Sequence, residues 1–187
     1  MAKVSIFFAD GFEEVEGLTV VDLLRRAKIE ITVVSITGNQ FVTGSHQITI
    51  KTDALFEEKI FDEEDMLVLP GGMPGTKNLS VHEGLDKLLK NFHAKGKKLS
   101  AICAAPSVLG EKGLLKGKNA TCYPGYEAAL MGAAVKDATV VTDGNIITSK
   151  GMGTSIDFSL ALIKDLVGEA EASKIAASIL YEPYLSK

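Results

Sequence analysis

Residues 97–115 read KKLSAICAAPSVLGEKGLL. The apolar run KKLSAI has strand character and ends on Cys103, small residues follow, and Pro106 falls where the first turn of a helix tolerates it. This pattern predicts a strand turning sharply into a helix with a thiol at the turn. In sheets flanked by helices, ligands sit beyond the carboxyl ends of the strands, so Cys103 is expected at the ligand-binding edge. The arrangement has the logic of a nucleophile elbow, although the G-x-S-x-G signature is absent. Ala101, Ala104 and Ala105 keep the surroundings of the thiol small.

Working outward, KVSIFF, EITVVSI, DMLVLP, ATVV and NIITS are short runs rich in Val, Ile, Leu and Phe, suited to strands buried on both faces of a parallel sheet. Helical patterns lie between them. Residues 13–28 place Val20, Val21, Leu23 and Leu24 against the sheet, with acids in the first turn. Residues 80–96 predict one helix capped by Ser80, apolar at Val81, Leu85, Leu88, Leu89 and Phe92, and stopping at Gly96. Residues 153–168 give Ile156, Leu160, Ile163 and Val167 before Gly168. Two hairpins are expected at the edges, turning at Thr43-Gly44 and at Asp143-Gly144. The fold class is α/β: a mostly parallel sheet sandwiched by helices.

The chain has 187 residues, 46% hydrophobic and 24% charged, which fits one domain over residues 1–187. A formal charge of −4 offers no general attraction to nucleic acid or to an anionic membrane. The opening MAKVSIFFAD is too short in its apolar run for a secretory signal or a membrane span, and two cysteines are too few for a disulfide framework. A cytoplasmic protein is expected, in a compartment where a free thiol persists.

A helix N-terminus favours thiolate over thiol through unpaired N–H groups and the helix dipole. Lowering the Cys103 pKa from roughly 8.5 to about 5.5 requires about 4 kcal/mol, more than a dipole supplies, so a second polar contact is needed. Glu16, set among Val15, Gly17, Leu18 and Val20, is the candidate: a buried carboxyl kept protonated donates a hydrogen bond to a thiolate. In PGGMPGTKNL, Gly71, Gly72 and Gly75 permit close backbone approach, and the N–H groups of Gly72 and Ala104 form a candidate oxyanion hole. Blander readings stand beside these: an ordinary buried cysteine, a tight turn, and acids (Glu13, Glu14, Glu16) that merely favour a helix start. Cys122 has no such placement and reads as core.

The segments FADGFEEVEGLTVVDLLRRA, LVLPGGMPGTKNL, AICAAPSVL and TSKGMGTSIDFSLALI resemble, in order and over nearly the whole chain, the ThiJ/PfpI superfamily, in the branch of the parkinsonism-associated deglycase and its bacterial relatives. The resemblance implies a flavodoxin-like sandwich, a single class I glutamine amidotransferase-like domain, a homodimer, and no metal or organic cofactor. It implies Cys103 as nucleophile, Glu16 as its buried acid/base, and Gly72 and Ala104 as oxyanion donors. The implied chemistry is cofactor-independent: glyoxalase III-type conversion of methylglyoxal or glyoxal to a hydroxy acid, or deglycation of methylglyoxal adducts on protein or nucleotide. It also implies oxidation of the cysteine to sulfinate, the basis of an alternative reading as a redox-sensing or chaperone-like stress protein without significant turnover.

The chain departs from the family pattern in places. Tyr123 stands where relatives carry a catalytic histidine, and His82 and His93 on the helix over 80–96 and His46 in the first hairpin all read as surface residues, so the sequence supports no Cys-His pair. His46 also aligns with a dimer-region position of the family, which leaves open whether it acts across a dimer. Ala104 follows the cysteine where peptidase members have histidine, which argues against proteolysis. Lys150 and Met152 replace the Arg and Pro frequent in the loop beside the cysteine, making Gly71, Tyr123, Lys150 and Gly151 the substrate-site candidates.

Overall fold

The computed structural model describes residues 1–185. The main sheet comprises β1 (Lys3–Phe8), β2 (Glu30–Ser35), β5 (Ala54–Leu55), β6 (Met66–Leu69), β7 (Lys98–Ile102), β10 (Val140–Asp143) and β11 (Ile146–Ser149), in the order β10-β11-β7-β6-β1-β2-β5. Every neighbouring pair is parallel except β10 with β11. Two small sheets flank it: β3 (Phe41–Thr43) with β4 (Thr49–Lys51), and β8 (Asn119–Ala120) with β9 (Ala134–Val135).

Helices cover both faces because the strands bury both faces. On one side Val4, Ile6 and Phe8 of β1 and Met66 and Val68 of β6 pack with α1 (Glu14–Arg26), α5 (Ser155–Val167) and α6 (Glu169–Ser178). On the other, Phe7, Leu67 and Leu69 pack with α2 (Gly75–Val81), α3 (Glu83–Ala94) and α4 (Pro106–Glu111). The alternation of side chains along each strand assigns one set to each layer. A last short helix, α7, spans Glu182–Leu185.

The α/β sandwich agrees with the sequence; several local expectations do not. Residues 80–96 form no continuous helix. The chain breaks at His82, whose ring nitrogen Nδ1 accepts from the Leu85 N–H at 3.0 Å and caps α3, so Ser80 lies in the last turn of α2 instead of starting a helix. Val81 accordingly points outward, 70% exposed. His82 is thus a cap, its ring edge-on to Phe56. Thr43-Gly44 is no tight turn: Thr43 pairs with Thr49, leaving a five-residue loop, 44–48. Asp143 pairs with Ile146, so the second turn is centred on Gly144-Asn145, one residue later than expected, with Gly144 at φ +61°.

The chain runs β1 to β2 in one direction and returns through β6 to the other side of β1, so the strand order reverses at the β1/β6 boundary. The segments leaving β1, β6 and β7 at that crevice carry Glu16, Gly72 and Cys103. Among the described residues no helix is long and apolar enough to cross a membrane.

The fully buried Phe8 ring stacks on Phe12 with centroids 4.2 Å apart and ties β1 to the approach of α1. Phe8→Ala is expected to cost about 3–5 kcal/mol in urea unfolding. Val81→Ala, at the exposed end of α2, is expected to stay within about 0.5 kcal/mol.

Candidate active site

Cys103 follows the last residue of β7 and has φ +66°, a conformation that costs an L-residue of this kind about 1–3 kcal/mol. Two neighbours hold it there. Its N–H donates to Ser149 O of β11 at 2.9 Å, and its carbonyl accepts from the Tyr123 N–H at 2.8 Å. The sharp strand-to-helix turn is therefore present, with Pro106 as the first residue of α4 and Ala105 at its cap. At six residues α4 is a short helix, so the dipole invoked from the sequence has little length behind it.

Glu16 lies in the first turn of α1, fully buried. Its Oε2 accepts the Gly71 N–H at 2.9 Å, Oε1 has no hydrogen-bond partner among the described residues, and the carboxyl lies beside the Cys103 thiol. Gly71 lies behind the cleft, between the two side chains. A Cβ there would fall 2.5 Å from Glu16 Oε2 and 2.6 Å from Cys103 Cβ, so the contact exists only because residue 71 has none. Gly72, at φ +91°, has no room for a side chain either, since a Cβ would meet Glu13 N at 2.2 Å. The N–H groups of Gly72 and Ala104 both approach the Cys103 sulfur.

These groups open on a cleft of about 600 Å³. Cys103, Glu16, Gly72, Ala104, Tyr123, Lys150 and Gly151 line it, with Met73, Tyr126 and Met152 adding apolar surface. Lys150 is ion-paired to Asp137 at the rim. Tyr123 is half exposed and packs by the edge of its ring against Gly151, where a Cβ would lie 3.2 Å away. Cys122 is 4% exposed within the core. His93 lies on α3 with its Nδ1 buried, away from the cleft.

His46 lines this cleft from the same chain. Its Nδ1 is 3.0 Å from Oε2 of the buried Glu14 and 3.6 Å from Oε2 of Glu13. The ligand atoms of Glu13, Glu14 and His46 lie within 4.8 Å of one another, a spacing compatible with a metal, but Nδ1 is engaged by the Glu14 carboxylate. Sequence reasoning read Glu14 only as a helix-start acid; the signal available was its burial-prone neighbourhood, and the loop that reaches it comes from 30 residues downstream.

The expected low thiol pKa is not what this environment produces. Burial, the charge of Glu16 and its hydrogen bond push the Cys103 thiol up to about 12 against the opposing N–H groups of Ala104 and Gly72. Burial pushes Glu16 up to about 7. The pair therefore carries two protons below about pH 7 and one above it, and a thiolate forms when ionised Glu16 takes the remaining proton. Burial and then the Glu127 charge push Cys122 up to about 11.

The Glu16 shift has a stability consequence. Folded Glu16 keeps its proton to about pH 7 while the unfolded chain releases it near 4.5, so stability is full below about pH 4.5 and falls as the pH rises to about 7. That loss is about 3 kcal/mol, and Glu16→Gln is expected to flatten it in chemical unfolding measured from pH 4 to 8.

Comparison with known proteins places this geometry. The chain is 36% identical over 177 residues to Protein dj-1beta of Drosophila melanogaster, covering 94% of this chain and 95% of the relative. It is 36% identical over 153 residues to a protein of Pyrococcus abyssi named a deglycase, covering 81% and 91%. The solved structure of oxidized Toxoplasma gondii DJ-1 superposes with a TM-score of 0.93 at 35% identity, covering 97% of this chain and 99% of that one. The model of the DJ-1/PfpI family matches residues 2–165, the span from β1 into α5 that contains every wall of the cleft, and the chain belongs to that family.

Proposed function

We propose that the protein is a cofactor-independent cysteine enzyme acting on reactive dicarbonyls, with Cys103 as nucleophile and Glu16 as its acid/base. The observation that carries this reading is the buried carboxyl of Glu16 set against the Cys103 thiol, with two backbone N–H groups converging on the same sulfur. Ionised Glu16 takes the thiol proton as sulfur attacks the aldehyde carbon of methylglyoxal. The carbonyl oxygen gains negative charge, which the N–H groups of Gly72 and Ala104 stabilise, and Glu16 returns the proton to give a hemithioacetal. Moving the proton on the former aldehyde carbon to the neighbouring carbon converts this to the thioester of lactate. Water then cleaves the thioester, releasing lactate and the thiol, with no external oxidant or reductant. An early methylglyoxal adduct on an amine is a second substrate class, in accord with the name of the Pyrococcus abyssi relative.

Tyr123, Lys150, Gly151 and Gly71 shape the substrate site in this reading: Gly71 by permitting the Glu16 contact, the others as cleft wall. The reading includes a single domain over 1–187, a homodimer in the cytoplasm, and neither nucleic acid nor membrane as partner. The half-exposed Val15 and the exposed Leu18 on α1 supply apolar surface for the dimer.

The test is lactate formation from methylglyoxal without glutathione. Wild type and Cys122→Ser are expected to form lactate, and Cys103→Ser and Glu16→Gln to fall to background. The rate is expected to rise with pH through about 7, as Glu16 ionises and becomes able to accept the thiol proton. No lactate from wild type overturns the enzyme reading.

The converging N–H groups favour a second reading, since they suit a sulfinate oxygen as well as an alkoxide. In it Cys103 is a redox sensor without significant turnover. Peroxide would then add about 32 Da at Cys103 and change thermal stability while lactate formation stays absent.

A further inference from the structure

We infer that His46, oriented by the buried carboxylate of Glu14, is the acid/base that carries the carbon-bound proton in the reaction at Cys103. The inference rests on the dicarbonyl reading and assigns the step that Glu16 is poorly placed to perform. Glu16 is held beside the sulfur with its Oε2 bonded to the Gly71 N–H, so its proton traffic is with the sulfur and the oxygen formed beside it. Transfer from one carbon of the bound substrate to the next needs a group facing the open side of the cleft. Tyr123 faces it with a phenol, a weak base at neutral pH. His46 faces it with an imidazole.

The imidazole is built into place. The loop over 44–48 folds onto the start of α1, with Ser45 N–H on Phe12 O at 2.8 Å. Gly44 lets the Glu14 carboxyl lie directly beneath it: a Cβ at 44 would sit 2.2 Å from Glu14 Cδ. Glu14, 3% exposed, accepts the His46 N–H at 2.8 Å on Oε1 and faces His46 Nδ1 at 3.0 Å with Oε2. A carboxylate on Nδ1 fixes the tautomer with its proton there and leaves Nε2 as the free base, which is how a buried acid positions a catalytic histidine.

The groups around His46 are Glu13 and Glu14 from the start of α1 and Ser45 in its own loop, with Glu16, Cys103, Tyr123, Tyr126 and Lys150 lining the rest of the cleft. The Glu14 hydrogen bond, followed by the charges of Glu13 and Glu14, raises the His46 pKa above its ordinary value. Burial alone would push Glu14 up, but the bonds from the His46 ring and from the backbone N–H groups outweigh it and hold Glu14 ionised.

In the balanced step, Nε2 takes the proton from the carbon bonded to sulfur. The electron pair moves onto the neighbouring carbonyl to form an enediolate, the hydroxyl proton of the sulfur-bearing carbon passes to that oxygen, and Nε2 returns its proton to the adjacent carbon, leaving the lactyl thioester on Cys103.

The test compares His46→Ala and Glu14→Gln with wild type in lactate formation from methylglyoxal, alongside iodoacetamide alkylation of Cys103 and thermal unfolding. His46→Ala is expected to lower kcat by roughly 10²-fold or more with KM, alkylation rate and melting temperature near wild type. Imidazole in solution is expected to restore part of the rate, since the side chain it replaces is 68% exposed. Glu14→Gln is expected to lower kcat by about 10-fold and to move the His46-dependent limb of the pH profile to lower pH. An active wild type with His46→Ala equally active overturns this inference alone, as does a rate loss that comes with altered KM and no imidazole rescue. A wild type that forms no lactate overturns the dicarbonyl reading and this inference with it.

Discussion

The contact between the Glu16 carboxyl and the Cys103 thiol governs the chemistry and much of the local fold. It places an acid and a nucleophile, both withdrawn from water, where only one of them can be charged at neutral pH without severe cost. Two glycines make the approach possible, Gly71 by removing the Cβ that would separate the pair and Gly72 by turning the chain past Glu13. The strained backbone at Cys103 completes it by directing the sulfur out of β7 toward α1. Hydrogen bonds to Ser149 and Tyr123 hold that strain from both sides, so strand β11 and the segment after β8 are part of the site's foundation.

From that contact follows a different view of the nucleophile than a permanently ionised cysteine. The thiol is held high by burial and by its carboxylate neighbour, and its reactivity is gated by the proton it exchanges with Glu16. In the proposed reaction the backbone N–H groups of Gly72 and Ala104 have two successive uses, stabilising sulfur when it carries charge and the substrate oxygen once charge has moved there. A site of this kind keeps the thiol dormant until a carbonyl is present to accept electrons. The cleft wall opposite is formed by residues from distant segments, Tyr123, Lys150 and the loop over 44–48, so substrate selection and proton handling are separable from the nucleophile itself.

The three-layer sandwich was legible because its strands are short apolar runs buried on both faces and its helices carry one apolar stripe each. The elbow was legible because a strand ending in cysteine and followed by small residues and a proline has few other geometries. Capping was harder. Ser80 looked like a helix start, yet His82 has the cap, because an imidazole nitrogen accepts the Leu85 N–H as a serine oxygen would and Phe56 supports its ring. The loop over 44–48 was hidden for a related reason: a glycine after a β-branched residue resembles a tight hairpin, whereas the length of this loop answers to Glu14, a partner 30 positions away.

By itself the sequence determined the α/β class and the place of Cys103 at a strand-to-helix turn, and it pointed to Glu16 as the neighbour of the thiol, though as a group that lowers the thiol pKa where the structure has it raising it. Local periodicity and residue size carry this information, since each depends on neighbours along the chain. Only the tertiary structure decided the charge state of the thiol, the position of His46 in the cleft and its pairing with Glu14. Those depend on burial and on distances between segments remote in sequence, and electrostatic energies are set by the surroundings of a group in space.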